Sequence, residues 1–208
     1  MQPFRQIFDP ASQAFTYLLG DTRSGLAVVI DPGSEATTMP LLAMLAELGL
    51  SLHYVLQTHV HGTDPDHAAG LGERTGARAV AGGEVRAGRA RKGVRHDETI
   101  AFGNEAIRVI GTPGHTPCSV SYLWNDRVFT GDSLLIEECG RTDLPGGDAA
   151  ALYDSITRRL FVLPGETLVF PGHDSRGRTV STIAEQRERN PAIAGLSRDE
   201  FITRRYFP

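Results

Sequence analysis

The chain has 208 residues, 40% hydrophobic content and a formal net charge of -4, with a mean hydropathy of -0.19. That length suits one domain, residues 1–208, whose core needs no staples, and the charge leaves no basic footprint for nucleic acid. No apolar run approaches a membrane span, and Met1–Arg5 lacks the apolar stretch of a secretory signal, so a cytoplasmic protein without membrane or nucleic-acid partners is expected. Cys118 and Cys139 are the only cysteines, which points to a reducing compartment. Both read as small packed residues.

In chain order, Arg5–Asp9, Phe15–Leu19 and Leu26–Asp31 read as strands closed by Asp-Pro or Gly-Asp turns. Thr38–Leu48 has apolar residues at helical spacing, and Gly49 stops it. Leu52–Gln57 is an apolar strand, and Asp66–Thr75 a short helix. Ala77–Val80 reads as a buried strand, and Gly82–Asp97 as a polar, Arg-bearing loop. Ile107–Ile110, Ser119–Trp124 and Val128–Thr130 are strands, Ala149–Phe161 a helix and Leu168–Phe170 a strand. Thr182–Asn190 and Asp199–Tyr206 are terminal helices, and Ser197-Arg198-Asp199-Glu200 supplies a cap with an acidic first turn. Strands followed by a helix, twice over, suit an α/β fold of two sheets covered by helices, with strand-end loops meeting at one edge.

Four signatures sit where apolar runs give way to Gly or Pro. They are Thr58-His59-Val60-His61 with Asp66-His67 beyond, Gly114-His115-Thr116-Pro117, Thr130-Gly131-Asp132 and Pro171-Gly172-His173-Asp174. Five of the seven histidines lie in them, so a metal site is expected. A single His at a strand end is usually a satisfied polar residue, but the His59/His61 pair puts two imidazoles together. The Pro113-Gly114 and Thr116-Pro117 flanks stiffen the backbone around His115. Imidazole and carboxylate donors suit zinc, iron or manganese, and the absence of Cys from the signatures excludes a thiolate site. Two His with one carboxylate is the ligand set of non-haem Fe(II) oxygenases; three His with a water is that of hydrolytic zinc. His59, His61, His115, Asp132 and His173 allow either set to be drawn.

These residues in this order resemble the metallo-β-lactamase superfamily, and within it the persulfide dioxygenases, iron relatives of glyoxalase II. The resemblance runs from Phe4 to Tyr206. It is carried also by Arg5-Gln6-Ile7-Phe8-Asp9-Pro10, Thr16-Tyr17-Leu18-Leu19-Gly20-Asp21, Ile30-Asp31-Pro32, Cys139-Gly140-Arg141-Thr142-Asp143 and Thr179-Val180-Ser181-Thr182. It implies a four-layer αββα sandwich with one Fe(II) per chain held by His59, His115 and Asp132. The implied reaction takes glutathione persulfide, O2 and water to sulfite and glutathione. His61, His173 and Asp174 would orient ligands or water from outside the ligand set. Arg141, paired with Asp143 as a buried ion pair, would support the metal edge, and Arg176 and Arg178 would meet the substrate carboxylates. A homodimer is compatible with the sequence, because dimers are common among such enzymes.

One departure matters. The superfamily pattern HxHxDH is here stretched by three residues, reading His59-Val60-His61-Gly62-Thr63-Asp64-Pro65-Asp66-His67. In dinuclear relatives the Asp-His pair holds a second metal, so the insertion argues for one metal. The alternatives are a glyoxalase II-like thioester hydrolase, a β-lactamase, less suited to a cytoplasmic chain, and a metal-binding interaction module without catalysis.

Overall fold

In the computed structural model, which describes residues 2–61, 66–83, 91–174 and 177–206, two six-stranded sheets lie face to face. The first runs in chain order: β1 (Phe4–Asp9), β2 (Ala14–Asp21), β3 (Leu26–Ile30), β4 (Ser51–Gln57), β5 (Arg78–Gly82) and β6 (Arg91–Val94). It is antiparallel as far as β3 and parallel from β3 to β6. The second holds β7 (Thr99–Phe102), β8 (Glu105–Gly111), β9 (Val120–Trp124), β10 (Arg127–Gly131), β11 (Leu168–Pro171) and β12 (Ser181–Thr182). Within it β10 and β11 alone run parallel.

Alternation along the strands sorts the side chains into layers. Tyr17, Leu19, Val28, Ile30 and Leu56 of the first sheet meet Val109, Tyr122, Trp124, Phe129 and Phe170 of the second. The opposite face of the first sheet, with Leu18, Ala27, Val29 and Val55, packs on Leu41 and Leu45 of α1 (Glu35–Glu47) and Ala68 and Leu71 of α2 (His67–Thr75). Ile110, Val128 and Val169 on the outer face of the second sheet pack on α3 (Ala149–Ser155), α4 (Ile183–Arg189) and α5 (Arg198–Tyr206). The result is the four-layer αββα sandwich. Truncating a fully buried residue such as Leu56 to Ala costs about 2–5 kcal/mol.

The expected elements are present, with a short strand β12 added before α4 and two larger differences. The polar stretch after Gly82 contains β6, and β7 follows at Thr99. Both are four-residue strands near a sheet edge, where one-sided burial leaves little apolar signal. Helix α3 runs on through a π turn, Ile156–Leu160, closed by Phe161 N–H donating to the Ile156 carbonyl (2.8 Å). At α5, Ser197 N–H donates to the Glu200 carboxylate (2.8 Å) and Glu200 N–H to Ser197 Oγ (3.4 Å), a reciprocal cap.

Two buried tyrosines tie the core to the strand ends. The Tyr122 hydroxyl donates to the Gln57 carbonyl (2.8 Å), and the Tyr17 hydroxyl to the Pro171 carbonyl (2.5 Å). Burial holds both phenols well above their ordinary range, so they stay protonated donors. Gln57 and Pro171 are the last residues of β4 and β11, the strands that lead to His59 and His173.

Candidate metal centre

The signatures converge at the C-terminal ends of two parallel strand pairs, the usual place for a site in such sheets. From the β3/β4 pair come His59 and His61. From β10/β11 come Asp132 and His173, and the β8–β9 loop brings His115. The rings of His59, His61 and His115 stand 4.9 to 5.0 Å apart and nearly perpendicular. Their candidate ligand nitrogens lie within 4.8 Å of one another. His115 Nε2 is 3.1 Å from His61 Nε2, and Asp132 Oδ2 is 3.7 Å from His115 Nε2 and 3.9 Å from His59 Nε2. Donors that each stand about 2.1 Å from a common ion are separated by about 3–4 Å, so this spacing fits one metal.

Hydrogen bonds orient the donors. His115 Nδ1–H donates to the Arg141 carbonyl (2.8 Å), which can only accept, so Nε2 is the ring nitrogen left to face a metal. The Thr58 hydroxyl donates to Asp31 Oδ2 (2.7 Å), leaving its oxygen to accept from His59 Nδ1 (2.9 Å), and His59 Nε2 is bare. Burial holds the His59 imidazole down at about 4, against the pull of Asp132, so it is neutral at pH 7. Burial also pushes the Asp132 carboxyl up, but the His173 hydrogen bond, the largest opposing influence, and the neighbouring histidines outweigh this and keep it at about 2. His173 Nδ1 donates to Asp132 Oδ1 (2.7 Å), leaving Oδ2 toward His59 and His115. That same bond raises the His173 pKa. Bare imidazole nitrogens beside a carboxylate oxygen repel one another unless a cation lies between them, and neutral nitrogen with carboxylate oxygen suits zinc or iron.

Glycines make the approach feasible. A Cβ on Gly131, whose φ is +52°, would come within 2.3 Å of Thr58 Oγ1, and one on Gly172 within 2.5 Å of Asp132 Oδ1. Asp31 is itself left-handed at φ +49° and accepts from Thr58 N–H at 2.7 Å. Burial pushes its carboxyl up to about 6.

Beside the cluster lies a cavity of about 780 Å³, lined by Asp9, Ser12, Ser34, Gln57, Asp66 and His67 together with His59, His61 and His173. Asp66 Oδ1 accepts from Ala69 N–H (2.9 Å) as the N-cap of α2. Residues 62–65, most of the stretched loop, and Arg176 lie outside the described residues.

His59, His115 and Asp132 therefore come together as the sequence suggested, with His61 inside the same cluster and His173 against Asp132. Asp174 is adjacent, its N–H donating to the Gln13 carbonyl (3.0 Å). Two expectations need correction. Arg141 and Asp143 form a surface pair, 62% and 65% exposed, because two residues two apart on one loop close on each other in solvent; Arg141 serves the centre through its carbonyl. The Arg178 guanidinium is held by Glu137 (3.0 Å) and Glu185 (2.8 Å), and the residue is not part of the cavity lining. The supports Asp31 and Thr58 carried a sequence signal only as an Asp closing one strand and a Thr opening the HxH segment.

Residues 9–173 match the metallo-beta-lactamase superfamily. The chain is 43% identical over 205 residues to the mitochondrial persulfide dioxygenase ETHE1 of Homo sapiens, covering 95% of this chain and 78% of that one. The crystal structure of ETHE1 from Myxococcus xanthus superposes with a TM-score of 0.93 at 47% identity, over 99% of this chain and 90% of that one. A metallo-beta-lactamase from Staphylococcus aureus gives a TM-score of 0.89 at 26% identity, over 98% and 66%. The chain belongs to the metallo-β-lactamase superfamily and, within it, to the persulfide dioxygenase family.

Proposed function

We propose that the chain oxidises glutathione persulfide with O2 and water to sulfite and glutathione, using one Fe(II) held by His59, His115 and Asp132. The observation that carries the metal assignment is the meeting of two imidazole nitrogens with an ionised Asp132 oxygen 3.7 and 3.9 Å away. Bound there, Fe(II) supplies the one-electron chemistry through which O2 reacts with a sulfur nucleophile.

Two neutral imidazoles and one carboxylate leave a net charge of about +1 on a divalent ion, which suits an anionic persulfide. His61, 3.1 Å from His115 Nε2, stands where it meets a substrate or water beside the metal. His173 fixes Asp132 through Oδ1, and its 41% exposed side chain on the cavity wall is placed to hold or release a proton. The cavity of about 780 Å³ has room for a tripeptide thiol. Asp66 is engaged as a helix cap, in keeping with a single metal. Arg176 remains a proposed partner for the substrate carboxylates. Two free cysteines fit a reducing, cytoplasmic setting, and among the described residues no helix is long and apolar enough to cross a membrane.

A paired assay tests the reading. Glutathione persulfide in air is expected to yield sulfite and none under nitrogen, while a glutathione thioester is left intact in both. Thioester hydrolysis without O2-dependent sulfite would replace the proposal with a hydrolase.

A further inference from the structure

The loop between β10 and α3 is tied from one side by the C-terminal segment. Gln186 and Asn190 are polar side chains buried in an otherwise apolar layer, 1% and 0% exposed. Such burial is costly unless every polar atom finds a partner. Gln186 Oε1 accepts from Glu137 N–H (2.9 Å) and from Asn190 Nδ2 (2.9 Å), and Gln186 Nε2 donates to Ser181 Oγ (2.8 Å). Asn190 Nδ2 also donates to the carbonyls of Glu138 (2.9 Å) and Leu135 (3.3 Å), and Arg205 donates to the Cys139 carbonyl (3.1 Å). Three consecutive residues, 137 to 139, are thus held at the backbone by side chains from α4, its C-terminal cap and α5.

The next two residues touch the metal centre. A Cβ on Gly140 would lie 2.1 Å from the Asp132 carbonyl and 3.0 Å from His115 Nδ1, and the Arg141 carbonyl accepts the His115 Nδ1 proton at 2.8 Å. A loop that drifted by an ångström would lose that bond.

We infer that Gln186, Asn190 and Arg205 are positioning residues for His115, holding residues 137–139 so that the Arg141 carbonyl keeps the imidazole turned with Nε2 toward the cluster. The inference rests on His115 being a metal ligand. The Arg141 carbonyl is the partner one step removed from His115, and losing such a partner typically changes metal affinity by about 10–100-fold; residues acting through it are expected to reach the lower end of that range.

The test uses the full chain stripped of metal and titrated with zinc against a chelator, with the ¹⁵N resonances of His115 followed alongside. Asn190→Ala is expected to weaken zinc binding by up to about tenfold and to shift or broaden the His115 Nδ1–H signal. Arg205→Met, on a half-buried side chain, should move both readouts the same way by a smaller factor, and it carries the test alone if Asn190→Ala does not fold. Leu45→Ala, in the layer over the other sheet, should lower Tm and leave both readouts unchanged. Wild-type affinity and an unmoved His115 signal in the Asn190 and Arg205 variants would overturn the inference, as would an equal loss of affinity in Leu45→Ala. If zinc leaves the His115 resonances of the wild type where they were, His115 is no ligand and the underlying reading fails first.

Discussion

The two parallel strand pairs that build the centre use the same device for opposite ends. In each, a carboxylate at the end of one strand is hydrogen-bonded to the end of its neighbour: Asp31 after β3 to Thr58 after β4, Asp132 after β10 to His173 after β11. Asp31 spends both oxygens on Thr58, and burial raises its carboxyl to about 6. Asp132 spends one oxygen on His173, keeps the other toward the imidazoles, and is held at about 2 by that hydrogen bond and the surrounding histidines, which overcome its burial. Surroundings rather than strand position decide which carboxylate keeps an oxygen toward the imidazoles and which spends both on its neighbour.

The largest expected effect comes from removing the ligand charge. Asp132→Asn should leave iron near background after anaerobic purification and lower kcat/KM by more than about 100-fold, beyond the usual cost of changing an outer partner. Asp31→Asn is sharper, because it keeps the shape and reverses a proton. An amide Nδ2 donates to Thr58 Oγ1, so the hydroxyl turns its hydrogen to His59 Nδ1 and forces the proton onto Nε2. We expect metal affinity to fall by about 10–100-fold, read by chelator competition, with far-UV circular dichroism unchanged. Unaltered affinity would break the comparison.

The glycines that let the pairs approach come next. Gly131→Ala places a methyl 2.3 Å from Thr58 Oγ1 on a backbone at φ +52° and should cost about 1–3 kcal/mol in denaturant unfolding. A carboxylate in neither pair gives the smallest effect. Asp21 is held well below its ordinary range by hydrogen bonds from Asn104, which join β2 to the β7–β8 turn, then from Ser24 and Arg23 in the turn after β2. A depressed carboxyl contributes stability that is present above its unfolded pKa, about 3.9, and is lost as pH falls toward the folded value. Asp21→Ala should therefore lower Tm at pH 7, the gap to wild type should close under acid, and metal content should not change.

Much of this centre was legible in the sequence because each of its side chains follows an apolar strand that ends at Gly, Pro or Thr. That pattern located His59, His115, Asp132 and His173. Strands β6 and β7 were hidden because short strands near an edge bury one face. The support given by Asp31 to Thr58 spans 27 positions, and that of Asn190 to Glu138 spans 52. The second, and one bond of the first, run through backbone groups that carry no residue-specific signal. The Arg141–Asp143 pair misled for the converse reason: residue chemistry was visible, and its exposure was set by a loop conformation that composition does not encode.

The most direct test of the central claim is the metal content of anaerobically purified protein, measured on the same sample whose O2 uptake is followed on adding glutathione persulfide. The account predicts about one iron per chain and prompt O2 consumption proportional to that iron. Two metals per chain, or zinc with no O2 uptake, would contradict it.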